Sequence, residues 1–373
     1  MSRKTLGLVV NPIAGMGGRV GLKGTDGADI LEQAIRLGAV PRASSRTVEA
    51  LIRMRPIQDQ IIMATYAGDM GENEAVEAGF QPQVIGAPSG RKTSSRDTQS
   101  AVKAMQNLGT DLILFAGGDG TARDICTAVN DQHIVLGIPA GVKIHSACFA
   151  ASPLHAGDMA CAFLTGKTKS TAEAEVMDLD EEAYRREVLK AKLFGYVKIP
   201  FQRKHIQGLK AGSSVSEKVK QEAIAAYVVE SMTDGTAYFV GPGTTTRAIM
   251  ERLGIDSTLL GVDLIRDRKP VGLDLNEARI LEVIRDGNSR LIITPVGGQG
   301  VLLGRGNQQL SPEVVRRIGK ECITIVATPQ KIADLRGRPL LVDTGDAETD
   351  IWLSDYYRVV TGYGESAIYR VSC

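Results

Sequence analysis

The sequence lacks the features that mark an exported, membrane-spanning or nucleic-acid-binding protein. Its 44 Lys and Arg residues nearly balance its 43 Asp and Glu residues, so no overall charge attracts nucleic acid or an anionic membrane. No apolar run approaches the roughly 20 residues that cross a bilayer. The apolar run at residues 6–10 is too short for the core of a signal peptide. We therefore expect a cytoplasmic protein without nucleic-acid or membrane partners.

Patterns for disulfides and protein-bound zinc are also missing. The five cysteines contain no CxxC pair and are odd in number, which is typical of reduced cysteines packed inside a cytoplasmic protein. The four histidines do not have the spacing of zinc ligands, so no metal site built from protein ligands alone is expected. The chain has 373 residues, which is long enough for two domains of ordinary size.

The most informative motif is GGDGT at residues 117–121. An apolar run of strand length at 111–115 precedes it, and the residues after Thr121 have helical spacing. Glycines let the backbone approach a ligand, and the free N–H groups of a helix start favour anions. The carboxylate of Asp119 repels a phosphate unless it binds Mg²⁺ or accepts a proton from an attacking hydroxyl. The motif therefore predicts phosphoryl transfer with Asp119 as the catalytic residue; the alternative is a tight turn that Asp119 caps.

The first third of the chain alternates short apolar runs with helical stretches. We predict strands at residues 6–10, 60–65, 83–85, 111–115 and 133–138, and helices near 30–37, 72–78 and 98–108. This alternation predicts an α/β fold, with a Rossmann-like doubly wound parallel sheet in a nucleotide-binding domain over residues 1–142. Ligands bind such sheets at the carboxyl ends of the strands. Asn11 and Asp119 each follow a strand, so we expect them to converge there.

The pattern changes after about residue 140. A helical stretch at 145–164 and a polar linker at 208–216 are expected, and β-like apolar runs occur at 172–180, 188–198, 223–229, 236–240, 257–263, 271–275, 280–283 and 290–294. These runs predict a mixed, strand-rich substrate domain over residues 143–320. The run at 322–328 has the character of a buried parallel strand, so we expect residues 321–373 to return to the first domain.

A glycine-rich segment, NPIAGMGG at residues 11–18, follows the first strand. Its glycines allow the backbone to contact a phosphate, and the Asn11 amide can hold a neighbouring loop. The spacing differs from a Walker A motif, and a connection without a ligand is the alternative. Lys23 and Asp26 stand in the next loop, where they could meet phosphate and metal or be solvated.

Three later segments carry polar side chains next to glycines. Lys143 is a candidate phosphate ligand on the same sheet edge as GGDGT, and His145 is either a polar contact or structural. GPGTTTR at 241–247 offers hydroxyls and an arginine at a helix start, suited to ribose or phosphate, or it is an ordinary N-cap. GRGNQQ at 304–309 has more donors than a loop requires. The predicted nucleotide-binding residues are Asn11, Gly15, Gly17, Gly117, Gly118, Gly120, Thr121, Lys143, Gly243, Thr244, Thr245, Arg247 and Asn307.

Several of these motifs together resemble a known family. GGDGT at 117–121 with NPxAG at 11–15 resembles the ATP-NAD kinase family, which belongs with diacylglycerol-type kinases. The segments at 240–249 and 293–313 are similar to its long prokaryotic branch, which includes proteins associated with acetoin catabolism. The resemblance implies an NAD-kinase-like fold, Asp119 as the base for the ribose 2′-hydroxyl, and a homo-oligomer (dimer or tetramer). It also implies ATP and NAD as ligands, with Mg²⁺ bound on the nucleotide phosphates.

The chain departs from the family pattern in the second domain. The loop at 240–249 lacks the usual sequence and tyrosine, and the Asn–acid pair that usually contacts the nicotinamide nucleotide is not identified in the second domain. Asn130-Asp131 has these residue types but lies in the first domain. Three functions stay open. The first is a kinase acting on the 2′-hydroxyl of NAD, the second a nucleotide-binding regulator with little turnover, and the third a kinase of the same superfamily acting on another hydroxyl, such as that of a lipid.

Overall fold

The computed structural model describes residues 3–18, 20, 28–90, 93–130, 132–141, 144–179, 191–200, 215–258, 260–285, 287–296 and 300–373. Its strands are β1 Lys4–Val10, β2 Ile61–Tyr66, β3 Gln83–Gly86, β4 Leu112–Gly117, β5 Val135–Pro139, β6 Thr171–Leu179, β7 Ala191–Pro200, β8 Ala237–Val240, β9 Asp263–Arg266, β10 Lys269–Gly272, β11 Ser289–Ile293, β12 Val301–Leu303, β13 Ile323–Val326, β14 Leu340–Val342, β15 Tyr356–Val360 and β16 Ser366–Ser372. Its helices are α1 Ala28–Arg36, α2 Ala43–Met54, α3 Glu72–Glu77, α4 Ser95–Leu108, α5 Asp119–Ala128, α6 Pro153–Leu164, α7 Val215–Glu230, α8 Thr244–Arg252, α9 Glu277–Ile284, α10 Pro312–Ile318, α11 Pro329–Asp334 and α12 Ala347–Leu353.

The chain divides into two compact units. The first unit contains Met1–Met16 and Gly24–Gln207, and the second contains Gly17–Lys23 and Gly208–Cys373. Within the described residues of both units, no helix is long and apolar enough to cross a membrane.

A five-stranded parallel sheet forms the centre of the first unit. Its strand order is β3-β2-β1-β4-β5, and β1 pairs with both β2 and β4. The strands β2 and β3 therefore lie on one side of β1, and β4 and β5 lie on the other. The direction in which successive strands are added reverses between β1 and β4. The predicted α/β fold with a parallel sheet in the first domain is confirmed.

Both faces of this sheet are buried, and the side chains of β1 show why. Leu6 and Leu8 point into a core shared with Leu51 of α2 and Met159 of α6. Val9 lies in a second core with α4 and α5. A strand that is buried on both faces contains apolar residues at nearly every position, which is why these strands were recognisable as continuous apolar runs.

The antiparallel hairpin of β6 and β7 belongs to the first unit rather than to a second domain beginning at residue 143. Val176 and Val197 of the hairpin share a core with Ile125 of α5, and Lys198 forms a bridge with Ile134 beside β5. The change in pattern after residue 140 therefore marks a change of layer within the first unit.

The second unit contains a mixed nine-stranded sheet in the order β10-β9-β8-β11-β13-β15-β16-β14-β12. Four adjacent strands, β8, β11, β13 and β15, are parallel. The expectation that residues 321–373 return to the first domain is wrong, because β13 pairs with β11 and β15 in this sheet. An apolar strand carries no local signal of which parallel sheet it joins.

Several apolar runs in the second half are helices instead of strands. Residues 223–229 lie in α7 and residues 280–283 lie in α9, since a short apolar run has no clear period. β9 begins only at Asp263 and β10 ends at Gly272. The helix expected at 145–164 begins at Pro153, where Ser152 caps it. Helix α2 was not predicted, and most of the expected linker at 208–216 lies outside the described residues.

Candidate active site

The loops after β1 and β4 meet at the point where the strand order reverses. The Asn11 backbone N–H donates to the Ala116 carbonyl at 3.0 Å, and Asn11 Nδ2 donates to Thr121 Oγ1 at 2.9 Å. Asn11 Oδ1 accepts the N–H of Ile13 at 3.3 Å. The Asn11 side chain therefore fixes its own loop and joins it to the first turn of α5. Ligands of doubly wound sheets bind at such a reversal point.

The glycines after β4 and β5 allow two loops to touch through their backbones. The Gly117 carbonyl accepts the N–H groups of Ala140 and Gly141 at 3.0 and 2.9 Å. A Cβ on Gly141 would lie 2.7 Å from Gly118 Cα, and a Cβ on Gly117 would lie 2.3 Å from Thr121 Oγ1. Side chains here would separate the loops, so these glycines are required by packing as well as suited to a ligand.

Gly15 is required for two separate reasons. Its φ of +84° lies in the left-handed region, which favours glycine, and a Cβ on it would lie 2.3 Å from the Ala140 carbonyl oxygen. The loop after β1 is thus packed against the segment that follows β5. Three consecutive parallel strands in space, β1, β4 and β5, deliver their loops to this edge.

Asp119 is the first residue of α5, and it is buried with 7% of its surface exposed. Its Oδ2 accepts the backbone N–H of His145 at 2.8 Å, and its Oδ1 accepts that of Ser146 at 2.9 Å. Ser146 Oγ in turn accepts the N–H of Met177 in β6 at 3.0 Å. The carboxylate is therefore held in one orientation, and it also ties the GGDG turn to the segment after β5.

The buried charge of Asp119 affects a nearby thiol. Burial raises the pKa of Cys148 well above its ordinary value, and the negative charge of Asp119 raises it further. Cys148 is therefore a protonated packing residue, as expected for a reduced structural cysteine. Gly120 lies in the first turn of α5, whose leading N–H groups have no partner within the helix. Lys143, Lys23 and Asp26 lie outside the described residues.

In the second unit, the 241–247 segment forms the predicted strand–turn–helix. Gly243 precedes α8 with a φ of +142°, and a Cβ on it would lie 2.3 Å from Thr294 Cγ2.

The Thr245 side chain is fully buried, and its hydroxyl has no hydrogen-bond partner among the described residues. Thr244 accepts a 3.4 Å hydrogen bond from Gln221. Arg247 is half exposed and pairs with Glu251 at 3.0 Å, one turn along α8.

The amide of Asn307 is used inside its own loop. Its Nδ2 donates to the Leu302 carbonyl at 2.7 Å, and its Oδ1 accepts the Gly304 N–H at 3.0 Å. The Asn307 side chain therefore stabilises the turn after β12. Gly17 belongs to the second unit with Gly18, where a Cβ on Gly18 would overlap the buried side chain of Gln308.

Comparison with protein families now identifies the fold and its two parts. The ATP-NAD kinase N-terminal domain matches residues 6–168, and the ATP-NAD kinase C-terminal domain matches residues 233–371. The chain belongs to the ATP-NAD kinase family. Searches of curated proteins and of solved structures give no match. Family membership points to an ATP-dependent phosphotransferase with ATP and NAD as substrates, which confirms the enzyme class predicted from GGDGT.

The structure of this kinase-family chain also brings together residues that the sequence reasoning missed. Lys331 Nζ donates to Thr294 Oγ1 at 3.1 Å and to the Pro295 carbonyl at 3.5 Å. Thr294 directly follows β11, and Lys331 lies in α11, the helix after β13. A lysine and a threonine therefore stand at the carboxyl edge of β8 and β11 beside Gly243. The sequence signal for both residues is their position, since Thr294 directly follows the parallel strand β11 and Lys331 lies in the helix after β13.

Proposed function

We propose that this protein transfers the γ-phosphoryl group of ATP to the ribose 2′-hydroxyl of NAD, giving NADP. The observation that carries the proposal is the buried, fixed carboxylate of Asp119 at the start of α5, beside the strand-order reversal of a parallel sheet. Phosphoryl transfer demands mainly positioning and neutralisation of charge. A glycine turn at a helix start supplies those for phosphates, and one carboxylate supplies a proton acceptor.

Asp119 acts in this proposal as the general base for the 2′-hydroxyl. The backbone N–H groups of His145 and Ser146 hold its two oxygens in place, and an ionised carboxylate is a proton acceptor. Asp119 can therefore receive a proton while the loop keeps it in place. Asn11 and Thr121 hold the turn in the orientation that Asp119 requires, since their side chains are bonded to each other.

Mg²⁺ is part of the proposed reaction as the ion carried on the nucleotide phosphates. The described residues contain no group of three or more His, Cys, Asp or Glu side chains able to hold a metal ion. Mg²⁺ in nucleotide enzymes commonly takes most of its ligands from phosphate and water, so it needs few protein side chains. When bound, the ion neutralises phosphate charge.

We assign the remaining predicted residues by unit. Asn11, Gly15, the glycines of GGDGT and Lys143 would contact ATP, whereas Thr244, Thr245 and Arg247 would contact NAD. Gly17, Gly243 and Asn307 would shape the loops that receive the nucleotides. We further propose a cytoplasmic homo-oligomer related to the long prokaryotic branch of the family that includes acetoin-catabolism-associated members.

The direct test is formation of NADP by the purified full chain with ATP, Mg²⁺ and NAD. An NADP-specific dehydrogenase coupled to a dye would detect the product, with omission of ATP as the blank. Parallel reactions with NADH and with polyphosphate would define the acceptor and the donor. Absence of NADP under all these conditions, with both nucleotides shown to bind by calorimetry, would overturn the proposal.

A nucleotide-binding regulator with little turnover is the second candidate. The loop at 240–249 favours it, because this loop departs from the sequence that is usual in the kinase family. In a regulator, NAD binding would persist without catalysis. Calorimetry together with the NADP assay separates the two functions, because a regulator binds and does not turn over.

A further inference from the structure

Lys331 connects two elements at the carboxyl edge of the parallel strands in the second unit. It lies in α11, the helix that follows β13, and its side chain reaches the loop that follows β11. Its Nζ donates to Thr294 Oγ1 at 3.1 Å and to the Pro295 carbonyl at 3.5 Å. Thr294 is 1% exposed, so the ammonium group of Lys331 holds a buried hydroxyl in place.

The Thr294 side chain packs against the turn before α8. A Cβ on Gly243 would lie 2.3 Å from Thr294 Cγ2, so the threonine methyl group occupies the place where a side chain on Gly243 would stand. Gly243 has a φ of +142°, and its carbonyl accepts the N–H of Arg247 and the hydroxyl of Thr246, each at 2.9 Å. The carbonyl at the beginning of α8 therefore belongs to a residue whose position is limited by Thr294.

Helix α7 contacts the first residues of both α11 and α8. The Thr328 hydroxyl donates to Glu217 Oε1 of α7, and the same hydroxyl oxygen accepts the backbone N–H of Lys331 at 3.3 Å. One turn along α7, Gln221 donates to Thr244 Oγ1 at 3.4 Å. The start of α11 is thus anchored to α7, and the Lys331 side chain extends from a fixed backbone.

We propose that Lys331 is a positioning residue for the dinucleotide substrate, acting through Thr294 on the Gly243 turn. The inference rests on the proposed function, which assigns Thr244 and Arg247 at the start of α8 to NAD. A binding site must hold its contacting groups to within about 0.5 Å, and a shift of the turn moves these two side chains. NAD affinity should therefore depend on the bond between Lys331 and Thr294, whereas ATP affinity, assigned to the first unit, should not.

Calorimetric titration of NAD and of ATP into variants of the full chain tests this role. Lys331→Met removes the ammonium group and keeps the length of the side chain. Thr294→Val removes the hydroxyl and keeps the methyl group that packs against Gly243. Each variant should raise the Kd for NAD by roughly tenfold, as expected for the loss of a hydrogen bond to a charged group, with the Kd for ATP nearly unchanged. The double variant should raise it little further, because both substitutions remove the same bond.

Lys320→Met is the matched control for the loss of a lysine charge. Lys320 is partly exposed and donates to Asp355 at 2.7 Å. It precedes β13, whereas Lys331 follows that strand, so the two lysines stand at opposite ends of it. The control should leave the Kd for NAD and the Kd for ATP unchanged. Thermal unfolding of every variant reports any general loss of stability.

Several results would overturn the proposal. An unchanged Kd for NAD in Lys331→Met, even with a lower Tm, would make Lys331 a purely structural residue. Additive losses in the double variant would show that Lys331 acts independently of Thr294. Equal losses for NAD and ATP, or an equal loss in Lys320→Met, would indicate a general effect of stability or charge.

Failure of the proposed function gives a different result. A wild-type chain that binds NAD without forming NADP would refute the kinase reaction, and the variants would still decide the role of Lys331. A wild-type chain that binds ATP but does not bind NAD would refute both proposals.

Discussion

Replacing Asp119 with Asn tests both roles of the buried carboxylate. Asn keeps the size of Asp, but one of its two terminal atoms becomes an NH₂ donor facing the N–H of His145 or Ser146. One charge-assisted hydrogen bond is lost and a buried donor faces another donor, which costs about 1.5–3 kcal/mol. At about 2–4 °C per kcal/mol for a unit of this size, Tm should fall by roughly 3–12 °C. Loss of the base should reduce turnover by on the order of 100- to 10,000-fold.

The assay combines thermal unfolding, NADP formation and calorimetric titration of both nucleotides below the Tm of the variant. Ser146→Ala is the control, because it removes only the 3.0 Å bond from Met177 and keeps the backbone N–H that Asp119 accepts. This control should lower stability while leaving turnover near normal. Near-normal turnover in Asp119→Asn would refute the role of Asp119 as general base. Asp119 would then serve only to connect the GGDG turn to the segment after β5. Equal losses of turnover in both variants would assign the effect to loop position.

Three further predictions concern other parts of the chain. Arg247→Ala should weaken NAD binding by roughly 1–3 kcal/mol and leave ATP binding nearly intact in calorimetry. Unchanged NAD binding would show that the loop of Arg247 is an ordinary helix start without a role in NAD binding. Gly15→Ala should lower Tm more than Gly38→Ala. Both positions have positive φ, but only a Cβ on Gly15 would clash with a carbonyl oxygen. Equal decreases in Tm would contradict a destabilising effect of this clash. Burial raises the pKa of Glu74 above its ordinary 4.5. The protonated side chain therefore contributes its full share to the free energy of unfolding below about pH 4.5. This contribution is lost as the pH rises through the raised pKa of the folded protein. Glu74→Gln should therefore gain stability relative to the wild type from pH 5 to pH 8 in urea unfolding, and a constant difference would contradict the assignment.

The candidate site in the first unit was predictable because its signals are local. A continuous apolar run, a glycine turn and a helical period mark β4, GGDGT and α5 within about twenty residues. The parallel order then forces the loops of β1 and β4 to one edge, so the contact between Asn11 and Thr121 follows from two strand assignments. The two backbone N–H groups on Asp119 were not predictable, because they come from a segment after another strand whose path depends on its packing.

The second unit shows where sequence reasoning failed and why. Residues 223–229 and 280–283 are short apolar runs that fit a strand or a buried helix face equally well, and both are helical. The sequence predicts the segments of β6 and β7 to be part of a second domain, because the pattern changes after about residue 140. The hairpin belongs to the first unit because Val176 and Val197 pack in one core with Ile125 of α5, and no local pattern encodes this contact.

The sequence by itself determined the α/β class, the parallel sheet of the first unit, the GGDGT turn and the family. These depend on residue types within a few positions of one another, where backbone geometry and hydrophobic period act directly. Tertiary structure alone decided that residues 321–373 complete the nine-stranded sheet, that Asp119 is fixed by backbone N–H groups, and that Asn307 serves its own loop. Contacts between residues distant in the chain depend on strand order and packing, which are properties of the whole fold.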